Sequence, residues 1–166
     1  MGITFPALLN QIHEIQNFQC GNSELDSWLI KTAIKSQKSG TARTYVVTDD
    51  FTNQVVGFYA VAMGSVQRSD AINSLRRNSP NPIPMVVLAR LGVHENYQGM
   101  NIGAGLLKDC IIRSVQAMNA VGGAGILVHA IDESAQSFYK KFGFKESHID
   151  PYLLMARVCD IERSLI

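Results

Sequence analysis

Three glycines follow a short apolar segment in the middle of the chain, and their placement suits phosphate chemistry. Residues 85–93 are mostly apolar and short enough for a buried strand. From Ile102 onward, apolar residues recur at the spacing of one helix face. A helix start presents unpaired backbone N–H groups and the positive end of its dipole, and both favour phosphate. Gly99, Gly103 and Gly105 lack a Cβ, so they let this backbone approach a ligand.

The spacing of these glycines excludes two common phosphate loops and matches a third. Neither G-x-G-x-x-G nor G-x-x-x-x-G-K-[ST] fits. The pattern Q/R-x-x-G-x-G/A fits with one departure, because Asn101 stands where the first glycine is expected. Asparagine tolerates left-handed backbone next best after glycine, so the loop can still form. A glycine-rich turn that packs a helix closely on a strand is the structural alternative.

This pattern resembles the pyrophosphate loop of the GNAT superfamily of N-acetyltransferases, which use acetyl-CoA. The resemblance implies that the cofactor is held by residues of the 98–104 loop: Gln98, Gly99, Met100, Asn101, Ile102, Gly103 and Ala104. It also implies that Leu91, Gly92 and Val93 pair with the pantetheine arm through backbone groups, with the Val93 N–H as an oxyanion donor. Asp132 joins the cofactor site by the same resemblance, and no metal is implied.

Acetyl transfer to an amine needs a neutral nucleophile, donors for the oxyanion and a proton for the departing thiolate. An α-amino group has a pKa near about 8 and a thiol near about 8.5, so one positioned acid is enough. Tyr139 matches the tyrosine proposed as that acid in the family; the alternative is a half-buried aromatic beside Phe138 and Phe142. No general base is evident. His129 is a candidate, although a lone histidine in an apolar strand is more often structural.

The charges are unevenly distributed along a chain whose formal net charge is only +1. Residues 31–90 contain eight basic residues against three acidic ones, a net charge of +5. Such asymmetry is typical of a protein with a polyanionic partner, and the alternative is a basic, solvated face. Arg90 lies inside a predicted strand, where an unpaired charge is costly to bury, so it is expected to reach an open cleft or an acid. The candidate contacts to substrate phosphates are Lys31, Lys35, Arg76, Arg77 and Arg90.

The elements that must position these residues predict one α+β domain over residues 1–166. The expected order begins with a strand at residues 3–9 and a helix capped by Ser23. A hairpin, a long arginine-bearing connection, and the strand, loop and helix described above come next. A strand, a short helix and a last strand complete the chain. This order agrees with the GNAT fold, a central mixed, mostly antiparallel sheet flanked by helices.

Three stretches resemble one branch of that superfamily, the toxins of type II toxin–antitoxin systems that acetylate aminoacyl-tRNA. They are FQCGNSELDSWLIKTA with ARTYVV, then PIPMVVLARLGV, and finally DESAQSFYKKFGF. The resemblance implies aminoacyl-tRNA as substrate, translation inhibition, and a cognate ribbon-helix-helix antitoxin that binds DNA; it is compatible with a homodimer. The alternatives are a general small-molecule or protein N-acetyltransferase, and a non-catalytic antitoxin-bound co-repressor.

Composition indicates where such a protein would act. No apolar run reaches the length of a transmembrane helix, and the N-terminus lacks the features of a signal peptide, so a cytoplasmic protein without membrane contact is expected. The three cysteines are widely spaced and odd in number, which argues against a disulfide framework or a zinc knuckle.

Overall fold

The structure is a computed structural model that describes residues 2–164. Its strands are β1 (Ala7–Leu8), β2 (Arg43–Thr48), β3 (Val55–Val66), β4 (Ile83–Val93), β5 (Gly125–His129), β6 (Lys145–Glu146) and β7 (Leu153–Arg157). Its α-helices are α1 (Ser23–Lys31), α2 (Ala33–Ser39), α3 (Asn73–Arg76), α4 (Ile102–Val121), α5 (Glu133–Lys141) and α6 (Val158–Ser164). Two short 3-10 turns cover Arg68–Asp70 and Glu95–Tyr97.

The strands form one mixed sheet in the order β1-β2-β3-β4-β5-β7-β6. The pairs β1–β2, β2–β3, β5–β7 and β6–β7 are antiparallel, whereas β4 and β5 are parallel. Parallel neighbours need a crossover, and α4 supplies it between β4 and β5. The predicted hairpin is confirmed, because β2 and β3 pair across a turn in which Asn53 has a φ of 58°. The α+β class and the mostly antiparallel sheet are confirmed as well.

The chain folds into two compact units. The first unit comprises Met1–Ala62 with Ala89–Cys110, and the second comprises Met63–Leu88 with Ile111–Ile166. Each has its own apolar core. The core of the first unit is formed by Leu9, Phe18, Leu29, Ala33, Val46, Val55 and Phe58. The core of the second is formed by Val66, Ala71, Ile72, Leu75, Ile83, Met85, Leu127, Leu153 and Met155.

The beginning of the chain differs from the sequence-based expectation in two places. The first strand is restricted to Ala7–Leu8, with a separate bridge between Ile3 and Asp49. The cap of α1 is Asn22 rather than Ser23, because the Asn22 side chain accepts hydrogen bonds from the N–H groups of Glu24 and Leu25. Asparagine and serine are equally good N-caps, so residue type alone could not choose between these neighbours.

The long connection between β3 and β4 is packed rather than free. Ile72 and Leu75 of this segment are buried in the core of the second unit. The Ser147 hydroxyl donates a hydrogen bond to the Asp70 carbonyl at 2.7 Å and ties the segment down. Arg68, Arg76 and Arg77 therefore lie on a segment whose backbone is packed against the core. Within residues 2–164, no helix is both long enough and apolar enough to cross a membrane.

Candidate functional site

The 98–104 loop has the backbone conformation that its sequence predicts. Gly99 has a φ of 81° and Asn101 a φ of 63°, both in the left-handed region. Asn101 therefore adopts the conformation for which a glycine was expected, and that prediction is confirmed. Helix α4 begins at the next residue, Ile102. The reversal of the chain after β4 depends on these two residues, which tolerate a positive φ.

The first turn of α4 presents three backbone donors. The Gly105 N–H donates to the Asn101 carbonyl at 3.1 Å and closes the first helical turn. The N–H groups of Ile102, Gly103 and Ala104 precede this bond, so the helix itself offers them no acceptor. Three parallel donors at the positive end of a 20-residue helix form a favourable environment for a phosphate.

The Gln98 side chain holds the loop to the scaffold. Its Nε2 donates to the carbonyls of Cys20 and Val93, both at 2.9 Å. One amide thus joins the loop to the end of β4 and to the turn before α1. Met100, by contrast, is 58% exposed. The Gln98 side chain thus supports the loop, and the binding of the cofactor by Gln98 stays a prediction.

The strand residues predicted to contact pantetheine lie at the end of β4. Its parallel register with β5 covers Met85–Leu88, and Leu91, Gly92 and Val93 belong to the following stretch in the first unit. A Cβ at Gly92 would lie 3.3 Å from a ring carbon of Phe58 and 3.5 Å from Cys20 Sγ. The turn before α1 therefore packs closely against β4 at Gly92, and a side chain there would require the Phe58 ring to shift slightly.

Arg90 lies neither against an acid nor free in solvent. Its Cζ atom is 5.2 Å from the centroid of the Trp28 ring, a cation–π arrangement. Its Nε is buried without a hydrogen-bond partner among the described residues. Its Nη1 makes one long contact of 3.4 Å with the Ala89 carbonyl. Among the described residues Arg90 thus contacts the face of an indole rather than an acid, and the open cleft stays a prediction.

The remaining predicted substrate contacts are exposed residues. Lys31 ends α1 and Lys35 lies on α2 in the first unit, where the helix is interrupted at Thr32. Arg76 ends α3 and Arg77 follows it in the second unit. The net positive segment is thus divided between the two units. Lys31, Lys35 and Arg90 belong to the first unit, and Arg76 and Arg77 to the second.

Tyr139 lies in a cluster of aromatic rings on α5. It is 6% exposed, and its ring centroid lies 5.2 Å from that of Phe138 and 5.8 Å from that of Phe144. Phe138 in turn packs on Phe142 at 5.2 Å. The helix ends as predicted, with Gly143 in a left-handed conformation at a φ of 92°. These contacts fix the ring, as both a catalytic and a structural role require.

Asp132 caps α5. Its carboxylate accepts a hydrogen bond from the Ala135 N–H at 2.8 Å. It also lines an open cleft of about 870 Å³ together with His129, Glu133, Asp150 and Tyr152. His129 itself is exposed at the end of β5. The structure thus gives Asp132 a capping role beside the cofactor role predicted for it.

Sequence reasoning missed two residues near the predicted strand contacts. One of them is Trp28 of α1, whose ring supports Arg90. Cys20 lies beside Gly92, and burial together with the Asp26 hydrogen bond raises the pKa of its thiol to about 11. The thiol is therefore protonated at neutral pH and a poor nucleophile. The single tryptophan was the only local signal, and nothing near it in the sequence points to Arg90.

Comparisons with known proteins place the chain among acetyltransferases. Residues 40–146 match the Acetyltransferase (GNAT) domain family. The chain is 40% identical, over 99% of its length and 98% of the relative's, to a tRNA-acetylating toxin from Mycobacterium tuberculosis. It superposes on AtaT complexed with acetyl-methionyl-tRNAfMet with a TM-score of 0.90 and 26% identity, over 99% of this chain and 100% of that one.

A second AtaT structure, of a mutant bound to acetyl-CoA and to the C-terminus of the antitoxin AtaR, matches with a TM-score of 0.83. Its identity is 26% over 98% of both chains. The family match covers more than half of the chain and includes the 98–104 loop and Tyr139. The chain therefore belongs to the GNAT family of acetyltransferases.

Proposed function

We propose that this protein is an acetyl-CoA-dependent toxin that acetylates the α-amino group of aminoacyl-tRNA and so blocks translation. The observation that carries the proposal is the 98–104 loop, with left-handed Gly99 and Asn101 in front of three amides for which helix α4 offers no acceptor. The acceptor is supported by the 40% identity to a tRNA-acetylating toxin over nearly the whole chain.

The 98–104 loop and the end of β4 would divide the binding of acetyl-CoA between them. The amides of Ile102, Gly103 and Ala104 donate to the pyrophosphate, where the helix dipole adds to the attraction. The backbone of Leu91, Gly92 and Val93 pairs with the amide groups of the pantetheine arm. No positively charged side chain is needed in the loop, because backbone donors supply the binding.

Two groups of this chain serve the transfer step. The amine nitrogen attacks the thioester carbonyl, a C–N bond forms and the C–S bond breaks. The Val93 N–H stabilises the negative charge that develops on the carbonyl oxygen. The Tyr139 hydroxyl donates its proton to the departing sulfur and regains one from the acetylated nitrogen. The pKa values of the amine and of the thiol, about 8 and about 8.5, make the net proton transfer nearly neutral in energy.

The charged residues would hold the tRNA body. Lys31, Lys35, Arg76, Arg77 and Arg90 contact phosphates without reading base sequence. Esterification removes the negative carboxylate next to the amine and lowers its pKa, so the amine of aminoacyl-tRNA is a better nucleophile than that of a free amino acid.

The setting of the reaction follows from the same proposal. A toxin acting on charged tRNA works in the cytoplasm and is restrained by a cognate antitoxin, for which we propose a ribbon-helix-helix protein. AtaT bound to the C-terminus of AtaR supports the antitoxin. We further propose that residues 1–166 form one domain, as the coverage of the relatives supports. The proposed function is compatible with a homodimer.

A panel of acceptors tests the proposal. Purified protein and acetyl-CoA are incubated with charged tRNA, spermidine and a peptide with a free N-terminus, and acetyl transfer is followed by thiol release. Transfer to charged tRNA alone is expected. Ready transfer to spermidine or the peptide, with charged tRNA untouched, would establish a general N-acetyltransferase. Failure to bind acetyl-CoA in calorimetry would leave only the non-catalytic co-repressor.

A further inference from the structure

A stack of three side chains leads from the core of the first unit to Arg90. Phe58 is fully buried and contacts Phe18 edge-on, with centroids 5.3 Å apart. Trp28 lies parallel to Phe58, at 6.2 Å and an interplanar angle of 10°. The Arg90 guanidinium covers the ring at 5.2 Å. The Trp28 ring thus contacts both a buried core ring and a cation.

Arg90 has donors that the described residues do not satisfy. A guanidinium carries five N–H donors in a fixed plane. Its Nε is buried without a partner, and its one contact to Ala89 is long. An unmet charged donor shielded from water is costly unless a ligand completes it. Among the described residues the guanidinium makes no other hydrogen bond, and its planar N–H groups can bind a phosphate bidentately.

Arg90 lies on β4, the same strand as Val93, which is proposed to act in the transfer step. Arg90 and Gly92 are two apart, so they face the same side of the sheet. A Cβ at Gly92 would point at Phe58 and Cys20, which identifies this side as the one that bears α1. The Val93 N–H is three residues further, a distance of about 10 Å along the strand.

We propose that Trp28 is a positioning residue that holds the Arg90 guanidinium against a phosphate at the aminoacylated 3′ end of the tRNA. This inference rests on the proposed function, because it names the contact that one residue of that site makes. Stacking restricts the long arginine side chain to one orientation before the substrate arrives, which lowers the entropic cost of binding. A lysine at position 90 would lack both the stacking plane and the bidentate edge.

Steady-state kinetics with charged tRNA and saturating acetyl-CoA test the role of Trp28. Trp28→Leu removes the ring and is expected to raise KM for charged tRNA by about 3- to 30-fold, the range of a partly desolvated cation–π contact. The kcat value and the Kd for acetyl-CoA stay unchanged. Trp28→Phe keeps an aromatic face, so its KM for charged tRNA is expected to stay close to the wild-type value. Melting temperatures are measured for both variants to confirm that they fold.

A double-mutant cycle with Arg90→Ala separates positioning from packing. If Trp28 acts through Arg90, Trp28→Leu has no further effect on KM in the Arg90→Ala background. An equal increase in both backgrounds, or an unchanged KM in folded Trp28→Leu protein, would overturn the inference while the proposed function stands. Absence of tRNA acetylation by the wild-type protein would overturn the proposed function itself.

Discussion

The 98–104 loop and the helix that carries Tyr139 contribute to the proposed reaction in opposite ways. The loop acts through its main chain, with left-handed residues at 99 and 101 and amides at 102–104 for which the helix offers no acceptor. Helix α5 contributes one side chain, whose ring is fixed by neighbouring aromatic residues. A function of the backbone tolerates a residue that keeps the conformation and leaves the amides accessible, which is why Asn101 can replace a glycine. A function of one hydroxyl tolerates no replacement.

The largest effect is expected from filling the space in front of the loop amides. In Gly103→Val the amide remains, but the branched side chain occupies the approach of the pyrophosphate, so acetyl-CoA binding should be abolished in calorimetry. Ala117→Val, an exposed position on the same helix, adds a comparable branched side chain and should leave the affinity unchanged. Normal affinity in folded Gly103→Val protein would refute the assignment of the loop.

Removal of the Tyr139 hydroxyl should affect chemistry and not binding. Tyr139→Phe keeps the ring and its contacts, so acetyl-CoA should bind as before. Single-turnover transfer should fall by about two to four orders of magnitude, the range for a lost general acid, and growth arrest should disappear. The matched control is Tyr45→Phe, which removes the hydroxyl of a β2 tyrosine whose ring stacks on Tyr59. Wild-type rates in Tyr139→Phe would show that the phenol is structural.

Unlike the loop and Tyr139, the arginines should affect only the binding of tRNA. Changing Arg76, Arg77 and Arg90 to alanine should weaken tRNA binding and reduce the slope of log affinity against log salt by about 0.7 to 0.9 for each lost phosphate contact. The affinity for acetyl-CoA should stay the same. Lys145→Ala removes an exposed charge from β6 and serves as control. An unchanged salt slope in the triple variant would remove these residues from the tRNA surface.

The smallest effect should come from residue 101 itself. Asn101→Gly keeps the left-handed conformation and should leave acetyl-CoA affinity within a factor of about two, since asparagine and glycine both tolerate it. Asn101→Val must adopt the same φ of 63° with a branched side chain, at a cost of about 1–2 kcal/mol. Calorimetry and thermal melting compare the two. Equal behaviour of the valine and glycine variants would show that the loop does not depend on this conformation.

Local features of the fold were predictable and long-range ones were not. The strand, loop and helix around the 98–104 loop follow from apolar periodicity and from residues that tolerate positive φ, both of which are visible in a short window. The choice of Asn22 over Ser23 as a cap depends on one residue of register. Ile34 packs partly against the first core, because α2 is separated from α1 at Thr32, and this break in the helix has no signal in the sequence.

The same distinction applies to the candidate site. Its backbone part could be predicted in conformation as well as position, whereas the surroundings of its side chains could not. Arg90 was identified from its cost of burial, yet its contact with Trp28 joins residues 62 positions apart. The supporting role of the Gln98 side chain likewise depends on the Cys20 carbonyl, which only the folded chain brings near. The short strand β6 and the helix α6 had no pattern strong enough to predict.

The most direct test of the account is mass spectrometry of total charged tRNA after incubation with the protein and acetyl-CoA. N-acetylated aminoacyl groups are expected on one or a few tRNA species with the wild-type protein and on none with Tyr139→Phe. Unmodified aminoacyl groups on every tRNA, from wild-type protein that binds acetyl-CoA, would contradict it.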